Sequence, residues 1–371
     1  MKVGIVMPLA DARGGAEIML LHLLRANRQT VNVDYAVVFL EHGPLVEEAR
    51  GLGYPVQVFP AGKLSQLASY IRTVSRLYFW MKRERLNLVL SWMSKAHLYA
   101  GPAAALAGIG AVWYQHGIAK PNRMEKSYGY IPAKAVICPS RAAMAEQIKV
   151  TPKLPASVIY PSVDLNQYDL KKLPSIREVR EALGLPLDRK IVGMVARLQR
   201  WKGVHVFLKA AEVISKVNPE VFFVVVGGQH ALEPDYPALL QEQAIRSGIS
   251  DRVLFAGHQT DAARWIQAFD ILVHASYKEP FGMVIVEGMA LGKPVIASKA
   301  GGPTETITHG VNGLLVPPKD AEGLASAIME LLTDDRKYER ISRAAMERAR
   351  QFSAERMANE VAELIYLKAG T

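Results

Sequence analysis

The chain has 371 residues, half of them apolar and 22% charged, with a formal net charge of +10 and a single cysteine. That is long for one core and comfortable for two domains. One cysteine excludes an internal disulfide framework, and the charge suits an anionic partner: nucleic acid, an acidic membrane face or a phosphorylated substrate. No zinc-type Cys/His cluster, ribonucleoprotein-like aromatic pattern or helix-turn-helix signal favours nucleic acid, so a membrane surface or a pyrophosphate substrate fits better.

The amino terminus, MKVGIVMPLADARGG, has too short an apolar run for a signal peptide and reads as a first strand over residues 2–7. Gly14-Gly15-Ala16-Glu17 then leads into a helix over 16–25. Two glycines let backbone N–H groups approach a ligand, and a helix start favours negative charge; an ordinary strand–helix turn is the alternative. The G-x-G-x-x-G dinucleotide fingerprint is missing, which disfavours NAD. Strands follow over 33–40, 55–59, 88–92, 111–115 and 135–139, and helices over 44–52, 64–85, 96–106 and 140–148. Residues 98–114 form an uncharged run, but Gly101, Pro102, Gly108 and Gly110 break it short of the ~20 residues of a membrane span.

The helix over 64–85, with Lys63 just before it, carries Arg72, Arg76, Lys82, Arg83 and Arg85 against one acid, Glu84. Leu64, Leu67, Ile71, Val74, Leu77, Tyr78 and Met81 recur at helical spacing, and Phe79 and Trp80 extend that surface. Such a helix either buries its stripe in the domain or lies on an anionic bilayer. Cys138 sits at a strand end in AVICPSR, where packing is expected rather than reactivity. Gln115-His116-Gly117 follows an apolar strand and puts polar groups at its carboxyl end, where a lone histidine is commonly structural.

Residues 160–175, YPSVDLNQYDLKKLPS, are polar and aperiodic and read as a linker. Alternation then restarts, with strands over 191–195, 221–226, 253–255, 271–274, 295–297 and 314–316. Helices are expected over 203–216, 237–247, 262–268, 283–291, 321–332, 337–351 and 354–368. This pattern predicts two α/β domains, each a doubly wound parallel sheet. Arg197 ends the first strand of the second half and Lys202 opens the next helix. Two cations there can neutralise a diphosphate or simply be solvated.

The densest stretch is 269–302, FDILVHASYKEPFGMVIVEGMALGKPVIASKAGG, read as strand, turn, helix, strand. Its turn lies at a strand's carboxyl end, where open α/β sheets bind ligands. Glu279 lies in the turn and Glu287 one turn into the helix. The peptide N–H groups around Phe281, Gly282, Met283 and Val284 are helix-start donors suited to phosphate, whereas carboxylates suit sugar or ribose diols. Spacing alone equally allows Glu279 to serve the helix dipole and Glu287 to be solvated.

Glu279-x7-Glu287, set in EPFGMVIVEGMALGKPVIAS, resembles the hallmark of retaining GT-B glycosyltransferases of family GT4, and the resemblance extends over most of the chain. G-x-V-A-R-L-x-x-x-K-G around Arg197 and Lys202 resembles the family's phosphate-binding segment. Val226-Gly227-Gly228 resembles its V-G-x-G turn near the nucleotide base, with the second glycine one position early. Tyr160-Pro161-Ser162-Val163-Asp164 departs from the usual P-N-G-V-D. The resemblance implies two Rossmann-like domains facing a cleft: residues 1–165 on the acceptor side, 166–352 binding the nucleotide sugar, and 353–371 returning to the first domain. It implies transfer of a hexosyl unit from a nucleoside diphosphate sugar to a hydroxyl, without a covalent nucleophile, cofactor or metal; no Asp-x-Asp pair occurs in the chain.

Carried over residue by residue, Arg197 and Lys202 hold the diphosphate, with backbone groups at Gly282–Met283 and Gly15. Glu287 binds the ribose and Glu279 the transferred sugar. Gly14 and Gly15 meet phosphate or sugar, Gly227 lies near the base, and His116 contacts the sugar. A sugar or lipid-linked acceptor in cell-surface polysaccharide synthesis, a cytoplasmic location and peripheral contact with anionic membrane complete the expectation. Two rival readings stay open: a GT-B epimerase, and a nucleotide-sugar-binding protein without turnover.

Overall fold

The computed structural model describes every residue except 12, 13, 32, 63 and 371, and of residue 30 the backbone alone; Lys63 therefore lies outside the described residues. The chain divides into two compact units, one of residues 1–163 with 353–371 and one of 164–352.

The first unit holds β1 (Lys2–Met7), β2 (Asp34–Phe39), β3 (Val56–Val58), β4 (Leu88–Trp92), β5 (Gly110–Tyr114), β6 (Ala135–Cys138) and β7 (Ala156–Val158). They form one parallel sheet in the order β3-β2-β1-β4-β5-β6-β7. All six predicted strands of this half are present. β7 was not expected: three residues behind Pro155 carry too little period-2 pattern to be read alone. The strands are apolar on both faces because helices cover both, and the core gathers Val6, Val38, Leu77, Trp80, Val89 and Tyr99. Cys138 is buried in a second cluster with Trp113, Tyr128, Val136 and Ala143, and burial pushes its thiol up to about 12, so it packs rather than reacts.

The uncharged run divides as expected, into a helix Ser94–Ala107 that contains Pro102 and the strand β5. Among the described residues no helix is long and apolar enough to cross a membrane. The helix Leu67–Arg83 does not bury a single stripe. Val74, Leu77, Trp80 and Met81 enter the core, while Leu67, Ile71 and Phe79 stand exposed on the other side beside Arg72, Arg76 and Arg83. The last helix, Ala354–Ala369, is capped by Ser353 and packs on the helix Gly15–Ala26 of the same unit. Arg356 ties it down by donating to the Tyr160 carbonyl at 2.6 Å.

The second unit holds β8 (Ile191–Val195), β9 (Phe222–Val226), β10 (Val253–Gly257), β11 (Ile271–His274), β12 (Val295–Ser298) and β13 (Leu314–Val316). They too are parallel, in the order β10-β9-β8-β11-β12-β13. Each sheet reverses its winding direction once, between β1 and β4 in the first and between β8 and β11 in the second. Such a switch point leaves a crevice at the strands' carboxyl ends.

Within the stretch read as linker, Leu165–Tyr168 forms a 3-10 turn capped by Asp164. The helix Ile176–Leu183, absent from the sequence reading, follows at once. Its capping box joins the Ser175 hydroxyl to the Glu178 N–H and the Glu178 carboxylate to the Ser175 N–H.

Candidate active site

The switch point of the second sheet brings Lys202 and Glu279 together. Lys202 ends a short 3-10 turn, Arg200–Lys202, beyond β8, and Glu279 lies in the turn beyond β11. Lys202 Nζ is 2.7 Å from Glu279 Oε2, with both side chains largely buried. The ammonium also lies 4.1 Å from the centroid of the Trp201 ring. Their approach depends on Gly203, which has φ of +80° and whose missing Cβ would stand 2.2 Å from the Ala275 carbonyl oxygen. The Tyr277 N–H donating to the Trp201 carbonyl at 3.1 Å holds the two loops at that spacing.

His274, the last residue of β11, reaches the same carboxylate oxygen, with Nε2 3.1 Å from Glu279 Oε2. Burial alone would raise the Glu279 carboxyl, but Lys202 and His274 outweigh it and hold the group ionised well below the usual carboxylate range. From below, the Gly302 N–H donates to the Glu279 carbonyl at 2.9 Å. Gly301, at φ of +69°, passes so close that a Cβ there would meet that carbonyl oxygen at 2.3 Å. Glu279 is thus fixed through both backbone and side chain.

The helix Met283–Ala290 starts from Gly282 in the left-handed region, φ of +90°, with no side-chain cap. The first N–H groups of that helix are therefore free of a capping side chain and lie beside the Lys202–Glu279 pair, next in sequence to Phe281. The Phe281 ring itself is buried, its centroid 5.5 Å from that of Phe352. Val284, Ile285 and Val286 are poor helix formers. Burial decides the conformation here, and Gly288 lets the helix lie on β11, since a Cβ would meet Leu272 at 2.3 Å.

Glu287 differs from Glu279. No ion pair reaches it among the described residues, and burial pushes its carboxyl up to about 7. Tyr168 of the 3-10 turn is its neighbour: burial raises the phenol first, and the charges of Glu287, Asp261 and Asp164 raise it further. The folded carboxyl thus titrates above its ordinary value of 4.5. The folded state prefers Glu287 protonated, so its contribution to stability is complete below pH ~4.5 and is lost as pH rises through ~7. Glu287→Gln is expected to raise the melting temperature at pH 8 and to leave it unchanged at pH 4.5. Parallel melting curves of the two proteins across that range check this, and a pH-independent difference would exclude a shifted carboxyl.

Arg197 stands at the carboxyl end of β8 as predicted, but exposed and without an ion pair among the described residues. Gly227 closes β9 at φ of +156°, where a Cβ would stand 1.8 Å from the Ala196 carbonyl oxygen. The loop carrying Arg197 and the glycine turn are therefore in backbone contact, with the Leu198 N–H donating to the Gly228 carbonyl at 3.0 Å.

In the first unit, Gly14 precedes the helix Gly15–Ala26 in extended conformation, φ of −155°. His116 follows β5, its ring stacked on Tyr114 at 4.3 Å between centroids and 5.0 Å from Trp92. Burial pushes its imidazole down to about 3, so it is neutral at physiological pH, and among the described residues its buried Nε2 has no hydrogen-bond partner. Trp92 links the two features, since its indole Nε1 donates to the Ala16 carbonyl at 2.8 Å. Trp92, Tyr168, His274 and Gly301 all escaped the sequence reading; only the strand-end positions of Trp92 and His274 were signals for them. Among the described residues no three His, Cys, Asp or Glu side chains are grouped to hold a metal ion.

Comparison with known proteins places this geometry in a family. The model for "Glycosyl transferases group 1" matches residues 175–348, and that for "Glycosyltransferase Family 4" matches residues 13–167. Between them these two glycosyltransferase models account for most of the chain. Curated members it resembles include the D-inositol 3-phosphate glycosyltransferase of Corynebacterium urealyticum, 33% identical over 56% of this chain and 50% of that protein. The protein of the same name from Mycobacteroides abscessus is 38% identical over 53% of this chain and 43% of its own length. The aligned stretch thus spans about half the length of these relatives or less. Anabaena HepE, solved in complex with UDP, superposes with a TM-score of 0.83 at 29% identity over 99% of this chain and 100% of its own. A glycosyltransferase from Rickettsia africae superposes at 0.85, covering 99% of this chain and 98% of its own, but at 21% identity it supports the fold alone. The chain therefore has the GT-B fold, with the segment matching the group 1 model lying inside the second unit.

Proposed function

We propose that the chain is a retaining glycosyltransferase that moves a hexosyl unit from a nucleoside diphosphate sugar to a hydroxyl acceptor. The observation that carries this reading is the buried Lys202–Glu279 pair at the β8/β11 switch point, next to the uncapped helix start at Met283. In this reading Lys202, Arg197 and the amides of Gly282 and Met283 take the diphosphate. Glu287 binds the ribose diol, Glu279 the hydroxyls of the transferred sugar, and Gly227 lies near the base. Gly14, Gly15 and His116 of the first unit are assigned to phosphate and sugar.

As the anomeric C–O bond to the diphosphate breaks, the departing oxygens gain charge that the Lys202 ammonium and the amides stabilise. The acceptor oxygen bonds to the same face of the anomeric carbon, and its proton passes to the departing diphosphate. Neither a metal nor a covalent intermediate on Glu279 has a role in this scheme. HepE has been solved with UDP-glucose, which fits a uridine donor, and the curated relatives are named D-inositol 3-phosphate glycosyltransferases, which fits a hydroxyl acceptor.

The test is thermal stabilisation by UDP, GDP and ADP, followed by turnover of the matching sugar nucleotide. Stabilisation by none of the three would sink the reading. An epimer formed from the donor alone would favour an epimerase, and binding without turnover over a broad acceptor panel would favour a non-catalytic role. The acceptor is assigned to the sugars of lipid-linked or growing glycans at the inner membrane face, because the exposed side of the helix Leu67–Arg83 pairs apolar with arginine side chains. Replacing Arg72, Arg76 and Arg83 with glutamate is expected to abolish flotation with phosphatidylglycerol vesicles. Equal flotation of parent and variant would remove the membrane from the scheme.

A further inference from the structure

We infer that His274 is a positioning residue for the transfer, donating from Nε2–H to hold the Glu279 carboxylate in place when Lys202 turns to the diphosphate; this rests on the donor assignment above. Two donors converge on Glu279 Oε2, Lys202 at 2.7 Å and His274 at 3.1 Å. They are not equivalent. Lys202 sits on a flexible four-carbon stem and is a point charge that a diphosphate recruits. His274 is 3% exposed at the end of a central strand, bonded through β11 to β8 and β12, and cannot follow the ligand.

Which ring nitrogen makes the hydrogen bond is readable from its surroundings. Nδ1 is buried with no hydrogen-bond partner among the described residues, whereas Nε2 faces the carboxylate, with the Ser276 hydroxyl at 3.5 Å. A buried N–H without an acceptor costs more than a lone pair facing carbon. Nε2–H therefore donates to the Glu279 carboxylate, and the imidazole serves as a fixed donor. With the Glu279 backbone already pinned by the Gly302 N–H, this hydrogen bond removes the remaining freedom of the side chain. A carboxylate so held accepts from a sugar hydroxyl without reorganising.

Two variants test the inference. His274→Leu keeps the volume and loses the donor; His274→Gln places an amide N–H where Nε2 stood. The parent is first titrated with UDP-glucose, GDP-mannose and ADP-glucose, and with the corresponding diphosphates. The leucine variant is expected to lose about ten- to hundredfold in kcat/KM for the sugar nucleotide that the parent uses, the range of a hydrogen bond to a charged group. Its affinity for the bare diphosphate stays within about threefold of the parent, and the glutamine variant recovers most of the loss. An unchanged kcat/KM in the leucine variant overturns the proposal, as does an equal loss of diphosphate affinity. So does a fall in melting temperature that tracks activity in both variants, since that is a folding role. A parent that binds none of the three sugar nucleotides overturns the donor assignment itself, and His274 falls with it.

Discussion

Lys202→Ala is expected to lower kcat by about a hundredfold, the size of the effect when one preorganised charge donor is removed from a transition state. The same substitution strands the Glu279 carboxylate, which is largely buried and whose ammonium partner was 2.7 Å away. Breaking such a pair from one side costs about 3–5 kcal/mol, more than removing both partners. Stability and rate therefore separate in a double variant. Lys202→Met with Glu279→Gln is expected to melt close to the parent and still turn over no faster than Lys202→Ala, with kcat and calorimetric melting as the two readings. A single variant with parental kcat would take Lys202 out of the chemistry.

The second large effect comes from a residue with no side chain. Gly203→Ala places a Cβ 2.2 Å from the Ala275 carbonyl oxygen and 2.8 Å from its carbon, at φ of +80°. Neither atom belongs to a flexible side chain, so the turn bearing Lys202 must withdraw from β11. A shift of about 1 Å in a positioning group is worth about a hundredfold in rate. The variant is expected to lose about that much kcat and to melt several degrees lower. Gly184 provides the control, because it also has positive φ, +65°, but a Cβ there meets nothing within 4 Å. Gly184→Ala is expected to cost about 1 kcal/mol of backbone strain and no activity. Equal activity in the two variants would show that close approach at Gly203 does not govern the site.

Twelve of the thirteen strands follow from short apolar runs bounded by Gly, Pro and polar clusters, because a buried parallel strand leaves that trace in the local composition. β7 has only three residues to carry it. The helix Ile176–Leu183 announced itself by its capping box and was hidden only by the polar linker before it. For the site, the strand-end turns at Gly14, His116, Arg197, Gly227 and Glu279 were readable, since turn chemistry is local. The exposed apolar side of the helix Leu67–Arg83 was not: helical spacing shows that a stripe exists, while its neighbours decide which part of it is covered.

Sequence by itself therefore determined the succession of strands along the chain and their parallel direction, the glycines at their ends and the spacing of Glu279 and Glu287. Tertiary structure alone decided that Lys202 meets Glu279 from 77 residues away. It also decided that His274 joins them, and that Glu279 stays ionised while Glu287 titrates near 7. The reason is physical: hydrogen-bonded local structure is set by neighbours along the chain. The charge state of a buried acid is set instead by which groups lie within a few ångströms through space, and by how much water they exclude.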